Sequence, residues 1–406
     1  MQGKERVFAA MSKGNEGMDL IHKSIATQAE TLKKLALKIH DHPELGYEEK
    51  KACAWQTALL QRWRFRVQTP WCDMDTAYRA DLGEGRPVFC FLAEYDALPG
   101  IGHGCGHNLI CTAALGAAYA LAQTLKSEKR KGRVMVMGTP AEESKGGKVK
   151  IVAGGGMQGV DAVLMAHPSF RTVPDTGCTA VQRFRIAFKG QSAHAAAAPE
   201  HGRNALDAVL ILFQGVNAWR QQMAESSRIH GVVREGGVLP NIIPDAAMCE
   251  FYLRSPEDRV LRAMVARFRK MIRGAALMTD TEAIVEPMLE PYKARWPNAT
   301  LNRLYVEAAG ELGLHPQMPE HPGRGSSDFG DVSQKAPGAH VYFGIASTSI
   351  PGHSSVFSEA ARTPYALDQM LKAAEAMARV GYAYLTDRET RREAKQNFLR
   401  DRQRRQ

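Results

Sequence analysis

Apolar residues in this chain come in two kinds of run. Arg86 to Leu92 (RPVFCFL), Arg133 to Thr139 (RVMVMGT), Asp161 to Ala166 (DAVLMA) and Ala339 to Ile345 are short and almost continuously apolar. Such runs suit strands buried on both faces of a largely parallel sheet. Between and after them lie helical segments: Leu109 to Leu125, a helix start at Gly146 to Ala153, Thr300 to Leu312 and Tyr365 to Thr386. From about Val181 the pattern changes, because RFRIAFKG alternates as a strand with one buried face does. A helix is expected over Asn204 to Gln222, strands over His230 to Arg234 and Ala247 to Arg254, a helix over Pro256 to Ala276 and a closing strand over Thr281 to Leu289. Strand, helix, strand, strand, helix, strand is the ferredoxin-like order. The expected fold class is therefore α/β with two domains: a discontinuous α/β part, 1–180 and 290–406, interrupted by an α+β part, 181–289.

Composition narrows the function classes. A chain of 406 residues, 44% hydrophobic and 24% charged, has enough apolar material for more than one core, and disorder is not its default state. The first twenty-five residues contain no apolar stretch of signal-peptide length, so a cytoplasmic protein is expected. Leu109 to Leu125 is uncharged but Ala-rich, carries Thr112, Gln123 and Thr124, and is short for a span; no membrane association is expected. Seven cysteines, an odd number without regular spacing, predict free core thiols rather than a disulfide framework. The net charge of +10 draws +4 from the last twenty residues, where eight basic side chains face four acidic ones. A mixed-sign run of that kind predicts a solvated helical extension, and no nucleic-acid partner is expected.

Metal-seeking side chains fall at the ends of the apolar runs. Glu94 and Asp96 follow the first, Glu142 and Glu143 the second, His167 the third, and His353 comes a short loop after the fourth. In open α/β sheets, sites form beyond the carboxyl ends of the strands. Taken singly, Cys105 is an ordinary buried thiol, His167 an ordinary core histidine and the glutamate pair ordinary helix-start acids. Taken together, thiolate, imidazole and carboxylate donors at one sheet edge suit Zn²⁺, with Mn²⁺ or Co²⁺ where carboxylates dominate. Cys105 and His107, separated by one residue, point the same way in an extended or turning segment, and Asn108 is placed to cap the following helix. Adjacent glutamates in an extended segment point apart, so one can hold metal while the other faces water. Divalent ions lower the pKa of water, and a neighbouring carboxylate can take its proton as an amide carbonyl is attacked.

The segments EYDALPG, GHGCGHN, TPAEE, MAHP, GQSAHAAAAPEHGRNALDAV, GGVLPNIIPDA and SSDFGDVS occur in that order. They resemble the motifs of the aminoacylase and carboxypeptidase-like dinuclear metal amidohydrolases, in the branch of p-aminobenzoyl-glutamate hydrolase and Xaa-Arg dipeptidase-like proteins. The resemblance runs from about His42 to His353 and implies a catalytic domain carrying two divalent ions per subunit, Zn or Mn with Co as a further option. It also implies that the inserted domain is a lid through which a homodimer forms. By motif position Cys105, His107, Glu143, His167 and His353 would be the ligands and Glu142 the general base. Asp96 would back a ligand without touching metal, and Glu94 stays open. His194, Asn241 and Arg254 match positions that hold the substrate, His194 from the neighbouring subunit. Many members carry Asp where this chain has Asn108, and Arg-Ala-Asp-Met-Asp where it has Leu92 to Asp96; both departures fit the branch named. The implied activity is hydrolysis of a small-molecule amide, an N-acyl amino acid, dipeptide or related conjugate. The alternative is an inactive metal-bound binding protein, which the presence of Glu142 disfavours.

Overall fold

The structure, a computed structural model, describes residues 2–319 and 321–405. Among these, the strands in chain order are β1 (Arg66–Gln68), β2 (Tyr78–Glu84), β3 (Val88–Ala93), β4 (Gly132–Gly138), β5 (Ala162–Ser169), β6 (Ala180–Lys189), β7 (Arg228–Glu235), β8 (Ala246–Ser255), β9 (Glu282–Pro287) and β10 (Gly338–Gly344). Six of them make one mixed sheet, ordered β1-β2-β4-β3-β5-β10, and four make an antiparallel sheet, ordered β7-β8-β6-β9. The protein is thus α/β, with a six-stranded mixed sheet and a separate smaller antiparallel one.

In the six-stranded sheet β4, β3, β5 and β10 run parallel, in the registers Leu92↔Met137, Phe91↔Leu164 and Ala166↔Val341. Every residue of β3 is buried, which explains its unbroken apolar sequence. Phe89, Phe91 and Ala93 join the core against helices His107–Ser127 and Pro364–Thr386, while Cys90 and Leu92 alternate to the opposite face. The helix Gln2–His40 packs on the same two helices. His107–Ser127 is long and apolar enough to cross a membrane, but its most apolar window is 89% buried, as suits the central helix of a core.

Two antiparallel strands, β1 and β2, extend this sheet at its β4 edge. They make the sheet more mixed than its apolar runs suggest. β2 keeps Tyr78 and Ala80 in the core and pairs the part-buried Arg79 with Asp81 at 2.7 Å, so its sequence reads as polar. The helix Lys50–Arg62, and most of Gln2–His40, likewise show no strong apolar signature in sequence.

The chain divides into two compact units, Met1–Gly177 with Trp296–Gly323 and Asp331–Arg404, and Cys178–Arg295 with Arg324–Gly330 and Arg405–Gln406. In the second, helices Ala205–Arg220 and Asp258–Met278 cover one face of the four-stranded sheet. The strand order is the ferredoxin-like 4-1-3-2 when β6 to β9 are counted one to four. β8 buries alternate residues, with Cys249, Phe251 and Leu253 inward. The segment Arg324–Gly330 belongs here because Thr179 donates to the Gly325 carbonyl through both its N–H (2.8 Å) and its hydroxyl (2.9 Å). The tail forms the helix Arg388–Arg405, of which only Ala394 is buried among the described residues. All seven cysteines are free.

Candidate metal centre

The carboxyl ends of the four parallel strands converge on one cluster. β3 runs into Glu94 and Asp96, β4 into the turn 142–145, β5 carries His167 near its end, and the loop after β10 brings His353. Cys105 and His107 come from the entry to helix His107–Ser127. Gly106 between them adopts φ 71°, where a Cβ would stand 2.5 Å from Pro168 Cγ, so this crossing requires glycine.

Ligand-type atoms lie within 4.8 Å of one another in overlapping sets that include Cys105, His107 and His167; Cys105, Glu143 and His353; and His107, Glu142 and Glu143. The five expected ligands and Glu142 are therefore brought together. The histidines are oriented from behind. His107 Nδ1 lies 3.0 Å from Asp96 Oδ1, and His167 Nδ1 lies 2.7 Å from the Pro168 carbonyl oxygen. In the neutral rings each Nδ1–H donates to its acceptor, which leaves the Nε2 lone pair toward the cluster. Asp96 uses its other oxygen to accept the Glu143 N–H at 2.9 Å, tying the β3 and β4 loops together.

The donor set passes a direct test of fit for metal. His107 Nε2 and Glu143 Oε1 are buried without a hydrogen-bond partner and face each other at 3.8 Å. His353 Nε2 stands 3.4 Å from the same glutamate oxygen, and Cys105 Sγ 3.5 Å from His167 Nε2. Buried polar atoms with no partner are costly, and a cation among them satisfies several at once. Burial, then the Glu143 charge, pushes the Cys105 thiol well above its usual range, which a bound cation would reverse. Burial alone would lower the His107 imidazole, but Asp96 raises it well above normal. Asp96 in turn, despite burial, is held low by His107.

Two local expectations are corrected. Asn108 does not cap the helix: it lies inside it, and its Nδ2 donates to the carbonyls of Ala36 (3.3 Å) and Ala361 (3.1 Å). Glu142 and Glu143 sit on a turn closed by the Lys145 and Gly146 N–H groups donating to the Ala141 carbonyl, not on an extended segment. Side-chain alternation therefore cannot divide their roles, and both carboxylates come close to His107.

Sequence reasoning passed over two residues and left a third open. Glu94 is buried with Oε2 3.6 Å from His107 Nε2, and the fully buried Lys148 places Nζ 2.6 Å from Glu94 Oε1. Against the effect of burial, Lys148, then His107 and His167, hold the Glu94 carboxyl below its ordinary range. Glu49, also fully buried, accepts the Ala141 N–H at 2.8 Å; burial, then Asp96, lifts its carboxyl to about 7. A lysine directly after a Gly-Gly pair was the sole sequence hint for Lys148, and Glu49 offered none.

The remaining candidates lie in the second unit. His194 and Asn241 are exposed neighbours: His194 bridges Ile242, and the Asn241 carbonyl accepts the Ala195 N–H at 3.0 Å. His194 Nδ1 accepts the N–H groups of Ala196 (3.3 Å) and Ala197 (3.1 Å), which places the proton of the neutral ring on Nε2. Arg254, half-buried on β8, donates from Nη1 to Ser326 Oγ at 2.7 Å and from Nε to His230 Nε2 at 3.3 Å. Burial, then the nearby Arg183 charge, lowers its pKa.

Known proteins are similar to this chain along most of its length. Over 366 residues the chain is 36% identical to the Xaa-Arg dipeptidase of Mus musculus, covering 86% of this chain and 84% of that protein. It is 34% identical over 300 residues to one of the subunits of p-aminobenzoyl-glutamate hydrolase from Escherichia coli (strain K12), covering 69% of this chain and 62% of that protein. A Bacillus subtilis structure described as a dinuclear metal-binding peptidase of the M20 family has the same fold, with a TM-score of 0.68 at 22% identity over 88% of this chain and 99% of that one. The model of peptidase family M20/M25/M40 matches residues 90–382, more than half of the chain, and the chain belongs to that family of hydrolases.

Proposed function

We propose that this protein hydrolyses an amide bond in an N-acyl amino acid, dipeptide or related conjugate, with two divalent ions held by Cys105, His107, Glu143, His167 and His353. The observation that carries the proposal is the convergence of these side chains, with Glu142, into sets whose ligand atoms lie within 4.8 Å of one another. The ions would supply Lewis acidity, Zn²⁺ by its donor set, with Mn²⁺ and Co²⁺ compatible. Glu142 takes the proton from the attacking water and passes it to the departing amine nitrogen, one carboxylate serving as base and then acid. His194, with its proton on Nε2, is suited to donate to the carbonyl oxygen as it gains charge, from the partner subunit of a homodimer. The Arg254 fork, beside Asn241 in role, suits the substrate's carboxylate.

Similarity to an Xaa-Arg dipeptidase and to a p-aminobenzoyl-glutamate hydrolase subunit supports testing two substrate classes first, dipeptides ending in arginine and aroyl-glutamate conjugates. The test is a panel of N-acetyl, N-benzoyl and p-aminobenzoyl amino acids and basic dipeptides, assayed after chelation and again with Zn²⁺, Mn²⁺ or Co²⁺ restored. Hydrolysis of at least one class, abolished by chelation and recovered with metal, is expected. Metal-loaded protein that cleaves none of them would sink the substrate assignment.

A further inference from the structure

The turn that carries Glu142 and Glu143 begins in an unfavourable conformation. Ala141 adopts φ 59°, the left-handed region that a residue with a Cβ avoids. Its carbonyl closes the turn by accepting from Lys145 (3.0 Å) and Gly146 (2.8 Å). Its N–H points away from the turn, to Glu49 Oε1 at 2.8 Å.

Glu49 is itself fixed on every side. It is fully buried, its Oε2 accepts the Thr76 hydroxyl at 2.9 Å, and its carbonyl accepts the Cys53 N–H at 3.0 Å in the first turn of helix Lys50–Arg62. Thr76 is held in turn, because its carbonyl accepts the hydroxyl of the buried Tyr95. The chain just before Glu49 lies against the same turn: a Cβ on Gly46 would stand 2.9 Å from Ala141 Cβ and 2.2 Å from Ser144 Oγ. Glu44, in that segment, accepts the Ala97 N–H at 2.9 Å through its carbonyl and so also braces the loop carrying Asp96.

We propose that Glu49 is a positioning residue for the metal centre: its buried carboxylate clamps the Ala141 N–H and holds the left-handed entry that aims Glu142 and Glu143. Nothing in this requires Glu49 to touch metal or substrate. Without the clamp, Ala141 relaxes toward ordinary backbone angles and the turn carries both carboxylates out of register. Glycine at 141 adopts the left-handed angle without penalty, so it removes the need for the clamp. The proposal rests on the reading of Glu143 as a ligand and Glu142 as the base.

The test compares Glu49→Ala, Glu49→Gln, Ala141→Gly and the double variant Glu49→Ala/Ala141→Gly. Zn²⁺ affinity is read by competition with a chelating dye, alongside kcat and KM. Glu49→Ala should lose about 10- to 100-fold in metal affinity, the span seen when groups behind metal ligands are removed. Its kcat should fall while KM changes little. Glu49→Gln, which keeps an amide oxygen for the Ala141 N–H, should recover most of the affinity, Ala141→Gly alone should behave as wild type, and the double variant should exceed Glu49→Ala by at least about half of the loss. Gly46→Ala gives a second route, since it pushes on the turn with Glu49 intact and should weaken metal binding in the same way; it decides the matter if Glu49→Ala does not fold. Unchanged metal affinity in folded Glu49→Ala, or no recovery in the double variant, overturns the clamp. If Glu49→Ala does not fold, unchanged affinity in Gly46→Ala does so. Glu143→Gln run in parallel separates the two failures: if it too keeps its metal, the fault lies in the reading of Glu143.

Discussion

β3 and β8 are central strands of their two sheets, yet they are built on different rules. All six residues of β3 are buried, whereas β8 buries every second residue and leaves the others part-exposed. The units follow their strands. In the first, His107, Asp96 and Glu94 are buried, Cys105, Glu142, Glu143 and His167 are half-buried and only His353 is exposed, and the network is locked from behind, His107 by Asp96, Glu94 by Lys148 and Ala141 by Glu49. In the second, His194 and Asn241 stand exposed in loops, fixed by backbone contacts. A metal centre needs donors held to a fraction of an ångström before the ions arrive, and burial with networked partners supplies that rigidity. Groups that meet a substrate must remain accessible, and a sheet with one open face leaves them so.

The comparison breaks most visibly in stability. Phe91→Ala should cost about 3–5 kcal/mol and Leu92→Ala about 2–5 kcal/mol, although they point to opposite faces, because both faces are covered. On β8, Phe251→Ala should cost about 3–5 kcal/mol, while its neighbour Glu250→Ala, which loses part-exposed pairings with Arg185 and Arg234, should stay within about 1 kcal/mol. Equal costs at Phe251 and Glu250 in denaturant unfolding would erase the distinction between the strands.

A smaller effect sharpens the account of the buried network. The Glu49 carboxyl is lifted from 4.5 to about 7 in the folded protein by burial and then Asp96, so folding favours its protonated form. That contribution is fully present below pH 4.5 and is lost as pH rises through about 7. In metal-free protein, wild type should lose on the order of 3 kcal/mol relative to Glu49→Gln across that window. A difference between the two that does not change with pH would mean Glu49 ionises freely.

Much of this was legible in sequence, for a physical reason. Two-faced burial makes β3, β4, β5 and β10 continuous apolar words, and parallel strands put their following residues at one edge, so Cys105, His107, Glu142, Glu143, His167 and His353 could be gathered before any coordinates. β2 escaped because its Arg79–Asp81 pair breaks the apolar pattern. Lys148 and Glu49 escaped because their roles exist only through partners remote in the chain, Ala141 lying 92 positions from Glu49. The arrangement of Glu142 and Glu143 was misread because a turn, with Ala141 left-handed, replaced the extended segment their spacing suggested. Segment Arg324–Gly330 left no periodic signal of its attachment to the start of β6.

The central claim is that the cluster is a two-ion hydrolytic centre in which Glu142 moves the proton and Glu143 holds metal. Its most direct test is elemental analysis of wild type, Glu142→Gln and Glu143→Gln, with turnover measured on the same samples. Wild type should carry close to two transition-metal ions per subunit. Glu142→Gln should keep them while losing about 10²–10⁴ in turnover, and Glu143→Gln should lose metal as well as activity. Full metal content in Glu143→Gln, or undiminished hydrolysis by metal-free wild type, would contradict the account.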